Sequence, residues 1–246
     1  FVISVIKKDI EKWDKDHPNY NYKRHILVNV QGGLGDQICA EPAIRFMKKQ
    51  IYPNEDITVV SHWPEIFSHL DIPVFNHDEF RFQPDTPYFH IHSLPGPETH
   101  TWSVVSHLLC HSVDYTAISL LRRVLPTDDK RIRLSIEIED VNEVMETIGI
   151  NDLKEMVLVH PGRHWESKTF PVEWWQNVLD GLQEKGLKVC IIGQEEETRG
   201  TVPITVREGM IDSRNLLGVK GLFAIISEAK VLITNDSAPL DRKSVV

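Results

Sequence analysis

The sequence has 246 residues, of which 41% are hydrophobic and 26% charged, so it can bury a large core and has the composition of a soluble globular protein. Lysine and arginine total 27 against 36 aspartate and glutamate residues, which gives a formal net charge of -9. This acidic balance argues against bulk binding of nucleic acid and allows at most a peripheral membrane contact. No apolar stretch reaches the roughly 20 residues of a membrane-spanning helix, so we expect a cytoplasmic protein.

Short apolar runs alternate with helical periods along most of the chain after residue 25. The predicted strands cover residues 26–30, 57–60, 73–75, 156–160, 187–192, 204–206 and 230–234. The predicted helices cover residues 39–49, 64–70, 103–124, 141–148, 172–185 and 221–228. Residues 76–102 are rich in proline, histidine and aromatic side chains and have no clear period. The alternation of strand and helix predicts an α/β fold with parallel sheets.

Two parts of the chain each begin with a strand, a glycine-containing turn and a helix, which predicts two Rossmann-like domains. We place the domains at residues 1–150 and 151–246. The chain begins with phenylalanine and ends twelve residues after the strand 230–234. A complete second domain would need further elements there, so we expect it to be truncated at its C-terminus.

The first glycine-containing turn carries the first candidate site. Gly32, Gly33 and Gly35 allow the backbone to approach a ligand closely, because no Cβ stands in the way. Asp36 and Gln37 follow at the start of the helix, at the sheet edge where α/β proteins bind ligands. Asp36 is therefore a candidate general base for an attacking hydroxyl. The alternative is that its carboxylate only caps the helix.

The second glycine-containing turn is basic. His160, Gly162 and Arg163 follow a predicted strand, and Lys168 comes a few residues later. Arg163 and Lys168 have the charge needed to neutralise a diphosphate leaving group. The alternative is that they are two solvated cations in a surface loop.

A third candidate segment follows the last predicted strand. There, Asp236 and Ser237 lie in a turn before an expected helix. Backbone N–H groups and the Ser237 hydroxyl could form an anion site at such a turn.

Taken together, the motifs resemble glycosyltransferase family 9, the heptosyltransferase-like enzymes, in the order in which that family has them. The segments that carry the resemblance are Gly35-Asp36, His160-Pro161-Gly162 with Lys168-Thr169-Phe170-Pro171, Gly193 with Glu196 and Glu197, and Asp236-Ser237-Ala238-Pro239. The resemblance covers about residues 25–240 and implies two Rossmann domains in the GT-B arrangement. The chain departs from the family pattern at Ala238, where glycine is usual, and at Asp241, where histidine is expected.

The resemblance also implies the chemistry. Asp36 would be the catalytic base, and Lys168 would meet the donor phosphates. Glu196 or Glu197 would meet the donor nucleoside, and the loop at Asp236 and Ser237 would lie beneath the diphosphate. The enzyme would move a sugar, possibly a heptose, from a nucleotide-diphosphate donor to a glycan or glycolipid hydroxyl with inversion, as in lipopolysaccharide biosynthesis.

Two other interpretations stay open. The run Gly32 to Gln37 also resembles the Gly-Gly-Leu-Gly-Asn-Gln start of certain fucosyltransferases. A non-catalytic remnant that binds a nucleotide or sugar is favoured by the expected truncation and by Asp241.

Twelve histidines raise the question of a metal. The histidines at positions 62, 69, 77, 90, 92, 100, 107 and 111 all lie in the first half. His90 with His92, or His107 with His111, could each supply two ligands. The family resemblance does not call for a metal, and scattered histidine, proline and aromatic residues suit an acceptor-binding surface equally well. We therefore expect no metal site and no cofactor apart from the sugar nucleotide, which is a substrate.

Overall fold

The computed structural model describes residues 25–82, 88–93, 112–162, 170–197, 200–201 and 203–235, with isolated positions at 12, 15, 16 and 239. The chain divides between Ser135 and Ile136 into two compact units. Each unit contains a four-stranded parallel sheet. The predicted α/β fold with parallel sheets is therefore confirmed.

The first unit has its sheet in the order β3-β2-β1-β4. The strands are β1 (His25–Asn29), β2 (Asp56–Ser61), β3 (Val74–Asn76) and β4 (Tyr88–His92). The helices are α1 (Leu34–Phe46), which continues into a π-helical turn Met47–Ile51, and α2 (Ser112–Leu121), with short 3₁₀ turns at Pro64–Phe67 and Thr127–Asp129. Helix α1 is buried from Gln37 to Phe46, and α2 packs along it. A helix that is buried on all sides lies in the middle of its domain, so α1 fixes the residues at its N-terminus firmly.

Strand β4 was not predicted. Its sequence alternates buried Ile91 with exposed His90 and His92, and pairing with β1 rather than hydrophobicity defines it. The predicted helix 103–124 is found as the shorter α2, and residues 103–111 lie outside the described part.

The second unit repeats this arrangement. Its strands are β5 (Met156–His160), β6 (Lys188–Ile191), β9 (Ile211–Asp212) and β10 (Val231–Thr234), with a separate antiparallel pair of β7 (Glu196–Glu197) and β8 (Gly200–Thr201). Its helices are α3 (Ile138–Ile148), α4 (Val172–Glu184) and α5 (Val219–Glu228). The sheet order is β10-β5-β6-β9, so both sheets place their strands in the order third, second, first, fourth. This is a strand order of nucleotide-binding sheets.

Both faces of the second sheet are covered. Leu158 and Cys190 on one face pack with residues of α3 and α5, among them Val144. On the other face, Val159 and Ile191 pack with Trp175 of α4 and other residues. Side chains alternate across a strand, so these near-continuous apolar strands need helices on both sides.

One predicted strand is wrong. The predicted strand 204–206 has no sheet partner, because Thr205 bonds through its N–H and its carbonyl to the side chain of Gln176 in α4. The edge strand is instead β9. The sequence places the domain boundary at residue 150, whereas the compact units divide at residues 135 and 136, and α3 packs through Val144 into the core of the second unit.

None of the helices in the described ranges is long and apolar enough to cross a bilayer.

Candidate active site

Asp36 lies at the start of α1, at the C-terminal edge of the first sheet. Its Oδ2 accepts a hydrogen bond of 2.9 Å from the N–H of Gly33, the residue that caps the helix. Gly32 has φ of +93°, and a Cβ added there would lie 2.6 Å from Asp36 Oδ2. Gly32 therefore provides both the left-handed backbone and the space that the carboxylate occupies. Asp36 remains exposed to solvent, so it can meet a ligand while it caps the helix.

Gln37 supports this turn from the interior. It is fully buried, and its Nε2 donates to the carbonyl of Gly32 at 3.1 Å. Its Oε1 accepts a 2.6 Å bond from the hydroxyl of Ser61 at the end of β2. That hydroxyl in turn accepts the backbone N–H of Trp63 at 2.9 Å. The structure thus places predicted residue Gln37 behind the turn, where it holds the turn against the neighbouring strand, and Gly35 in the first turn of α1.

Two histidines form a stacked pair at the same edge of the sheet. The rings of His62, after β2, and His77, after β3, have centroids 4.5 Å apart and an interplanar angle of 25°. The pKa of His77 is lowered, first by burial of its ring and then by the neighbouring His62, against opposing effects of a hydrogen bond with the backbone of Val30 and of the Asp78 charge. Sequence reasoning considered both histidines among possible metal ligands or as part of an acceptor-binding surface, but it could not pair them, because their pairing depends on the adjacency of β2 and β3.

In the second unit, His160 and Gly162 connect the ends of β5 and β10. His160 is buried, and its Nδ1 lies 3.1 Å from the hydroxyl of Thr234. The carbonyl of Gly162 accepts a hydrogen bond from the side chain of Asn235. These contacts lie where the strand order reverses, which is the position at which open α/β sheets bind ligands. His160 and Gly162 therefore lie at the edge of the second sheet where the sequence predicts the donor site.

A further turn follows β6. Gly193 has φ of +106°, and its carbonyl accepts the N–H of Asn215 at 3.0 Å. The side chain of Asn215 accepts the N–H of Glu195 at 3.1 Å. Asn215 has a positive φ of 63°, a conformation that asparagine tolerates better than most residues. Sequence reasoning missed Asn215, which lies in none of the predicted elements and in none of the motifs.

The remaining predicted residues are only partly covered by the structure. Glu196 and Glu197 form strand β7, which follows this turn. Arg163, Lys168, Asp236 and Ser237 lie outside the described residues.

Within the described ranges, no three histidine, cysteine, aspartate or glutamate side chains are grouped so that they could hold a metal ion. Of the histidines considered as ligands, His100, His107 and His111 lie outside those ranges.

Solved structures with the same fold are glycosyltransferases. One is a family 9 glycosyl transferase from Veillonella parvula, with 17% identity and a TM-score of 0.66 over 90% of this chain and 78% of that chain. Another is the E. coli ADP-heptose lps heptosyltransferase II, with 13% identity and a TM-score of 0.64 over 90% of this chain and 82% of that chain. A search of curated protein sequences found no significant match.

A third similar structure corrects the expectation about cofactors. It is the iron-containing dodecameric glycosyltransferase TibC from enterotoxigenic E. coli, with 17% identity and a TM-score of 0.62 over 91% of this chain and 56% of that chain. The prediction that enzymes of this kind require no metal is contradicted by this iron-containing relative.

The family assignment comes from the sequence match itself. The model of glycosyltransferase family 9 (heptosyltransferase) matches residues 114–240, which is more than half of the 246 residues. The matched range includes the turn at His160 and the loop at Asp236 and Ser237. The family found in this way is also the family of the similar structure from Veillonella parvula. The chain belongs to glycosyltransferase family 9, and it is a glycosyltransferase of the kind that transfers a sugar from a nucleotide-sugar donor.

Proposed function

We propose that the two units are the halves of a GT-B enzyme, with the acceptor bound by the first unit and the nucleotide-sugar donor by the second. The donor is ADP-heptose or a close analogue, and the acceptor is a hydroxyl of a lipopolysaccharide core. The similar E. coli enzyme supports this choice, since it is named as an ADP-heptose lps heptosyltransferase. The cytoplasmic location expected from the sequence stays a prediction.

The observation that carries the proposal is the placement of Asp36. Its exposed carboxylate lies at the C-terminal edge of a parallel sheet, beside β1, where the strand order reverses. Because Oδ2 is held by the N–H of Gly33, the group has a fixed position before any ligand arrives. A fixed carboxylate that is open to solvent is suited to accept a proton from a bound hydroxyl.

The proposed reaction is a single displacement at the anomeric carbon. Asp36 takes the proton of the acceptor hydroxyl, and the hydroxyl oxygen forms the new bond to the sugar. The bond from the sugar to the diphosphate oxygen breaks, and the nucleoside diphosphate leaves with the electron pair. Attack from the face opposite the leaving group inverts the anomeric centre.

The donor half would stabilise the departing diphosphate. We propose this role for Arg163, Lys168 and the loop of Asp236 and Ser237, on the residue types and the family resemblance. The proposed position of the diphosphate site is supported by His160, which lies where the strand order of the second sheet reverses. Glu196 or Glu197 would contact the nucleoside.

The first experiment is a thermal-shift screen of the chain against ADP, GDP, UDP and CDP and their sugars. A ligand that binds only the folded state raises its apparent stability, so the screen identifies the donor base. We expect stabilisation by ADP and ADP-heptose. Stabilisation by GDP-fucose alone would favour the fucosyltransferase interpretation, and stabilisation by a nucleotide without transfer from any donor would favour the non-catalytic one.

The second experiment tests the base. Asp36→Asn keeps an oxygen that can accept the N–H of Gly33 but removes the basic carboxylate. We expect it to abolish transfer from ADP-heptose and to leave the ADP thermal shift unchanged. Asp140→Asn is the matched control, because Asp140 occupies the equivalent position in α3 and accepts the N–H of Glu137 at 2.8 Å. Transfer that survives in Asp36→Asn would refute the role as a base.

A further inference from the structure

The stacked pair of His62 and His77 is joined to the glycine-containing turn through the interior of the first unit. The backbone N–H of His77 donates to the carbonyl of Ser61 at 3.1 Å. The Ser61 hydroxyl donates to Gln37, which in turn donates to the carbonyl of Gly32. The histidine pair and the turn that positions the catalytic carboxylate are thus held by one network of buried hydrogen bonds.

The pair also lies on the open edge of the sheet. His62 is exposed and His77 is half-buried, and each follows directly after the C-terminal end of a parallel strand. The ring of His77 bonds to the backbone of Val30, two residues before Gly32. The two rings therefore border the same ligand-binding edge as Asp36.

The surroundings favour a neutral ring at His77. Two imidazolium cations stacked at 4.5 Å would repel each other, and the pKa of His77 is lowered by burial and by His62. Within the described residues, the groups that face the pair are the Asp78 carboxylate, the backbone of Val30, the amide of Asn76 on the carbonyl of His62, and the ring of Trp63. Asp78 is the one charged group among them, and its effect on His77 is the smallest of the causes.

A neutral imidazole has one ring nitrogen that donates and one that accepts. A sugar hydroxyl does both, so a pair of neutral imidazoles matches neighbouring hydroxyls on a sugar ring. A cationic histidine pair would be less suitable beside the proposed base, because a nearby positive charge lowers the basicity of the Asp36 carboxylate, which must accept a proton.

We propose that His62 and His77 bind hydroxyl groups of the sugar acceptor beside the hydroxyl that Asp36 deprotonates, and so position the acceptor for transfer. This role rests on the proposed function, and it assigns the pair to the acceptor rather than to the donor or to a metal.

The test separates acceptor binding from all other steps. His62→Asn and His77→Asn are compared with the wild-type chain in transfer from ADP-heptose to heptose-free lipopolysaccharide core oligosaccharide. We expect the KM for the acceptor to rise roughly tenfold in each variant, as the loss of one or two hydrogen bonds would give, with the KM for ADP-heptose within about twofold of wild type. His25→Asn is the control, because His25 bonds to Thr58 at the opposite edge of the same sheet.

The pH profile gives a second readout, which a purely structural role would not change. In the wild-type chain the acceptor KM should rise as the pH falls below the ordinary histidine pKa of 6.5, because His77 becomes charged. His77→Asn should show a flatter profile. If both variants keep the wild-type acceptor KM and the wild-type pH dependence of that KM, this inference alone is overturned. No transfer by the wild-type chain would overturn the proposed function and this inference with it.

Discussion

Gly32→Ala tests whether the glycine-containing turn exists to hold Asp36. An added Cβ would lie 2.6 Å from Asp36 Oδ2 and 2.7 Å from its Cβ, so the carboxylate must move. The left-handed backbone at φ +93° adds about 1 to 2 kcal/mol for a residue with a side chain. Loss of the bond from the Gly33 N–H adds about 1 kcal/mol, the usual value of a helix cap. We expect the free energy of unfolding to fall by roughly 2 to 3 kcal/mol in total.

The measurement is urea unfolding followed by circular dichroism, with two control variants. Gly33→Ala has no left-handed strain, and its Cβ would lie 3.7 Å from Asp36 Oδ2, so it should cost less than about 1 kcal/mol. Gly149→Ala has φ of +71° and no heavy atom within 4 Å of its Cβ, so it isolates the backbone term of about 1 to 2 kcal/mol. If Gly32→Ala costs no more than Gly149→Ala, the close contact with Asp36 is refuted.

Three further predictions concern groups away from this turn. Glu41 is fully buried and accepts bonds from Arg45 at 2.7 Å and His69 at 3.1 Å, so Glu41→Gln should lower the free energy of unfolding in urea by about 3 kcal/mol or more. A loss below about 1 kcal/mol would contradict this buried ionic cluster. The lowered pKa of His77 means that the unfolded chain binds more protons, so this contribution to stability is present above pH 6.5 and is lost as the pH falls below it. His77→Asn should therefore flatten the decline of stability in acid, measured by urea unfolding at a series of pH values, and an unchanged decline would refute it. Burial raises the pKa of the Cys190 thiol to about 11, so peptide mapping after alkylation at about pH 8 should find Cys190 unmodified in the folded chain and modified in urea, and equal labelling in both would contradict its burial.

The sequence was a good guide where the signal is local. Glycines beside a short apolar run, followed by an acidic residue, predicted both strand β1 and the position of Asp36. The strand order could not be read in this way, because each sheet is assembled from segments far apart in the chain. Strand β4 was missed for that reason, since its pairing with β1 defines it more than its own hydrophobicity does.

The same limit applies to the histidines. His62 and His77 are separated by fourteen residues, and the sequence gives no reason to pair them rather than any other two of the twelve. Their stacking follows from the register of β2 with β3, in which Ser61 lies opposite Asn76, so that the next residue of each strand is a histidine. The number of histidines alone therefore could not assign a function to these two residues. What they can do depends on which strand ends lie together.

The two interpretations of Asp36, a helix cap and a general base, are compatible in the folded chain. A carboxylate has two oxygens, and only Oδ2 bonds to the N–H of Gly33. The cap fixes the group, while exposure at the sheet edge leaves room for a ligand hydroxyl at the other oxygen. Asp140 makes the same capping bond in α3, so capping alone does not mark an active site. What distinguishes Asp36 is the glycine-containing turn, since Gly32 leaves open the space that a side chain would fill and brings the carboxylate to the edge where the strand order reverses.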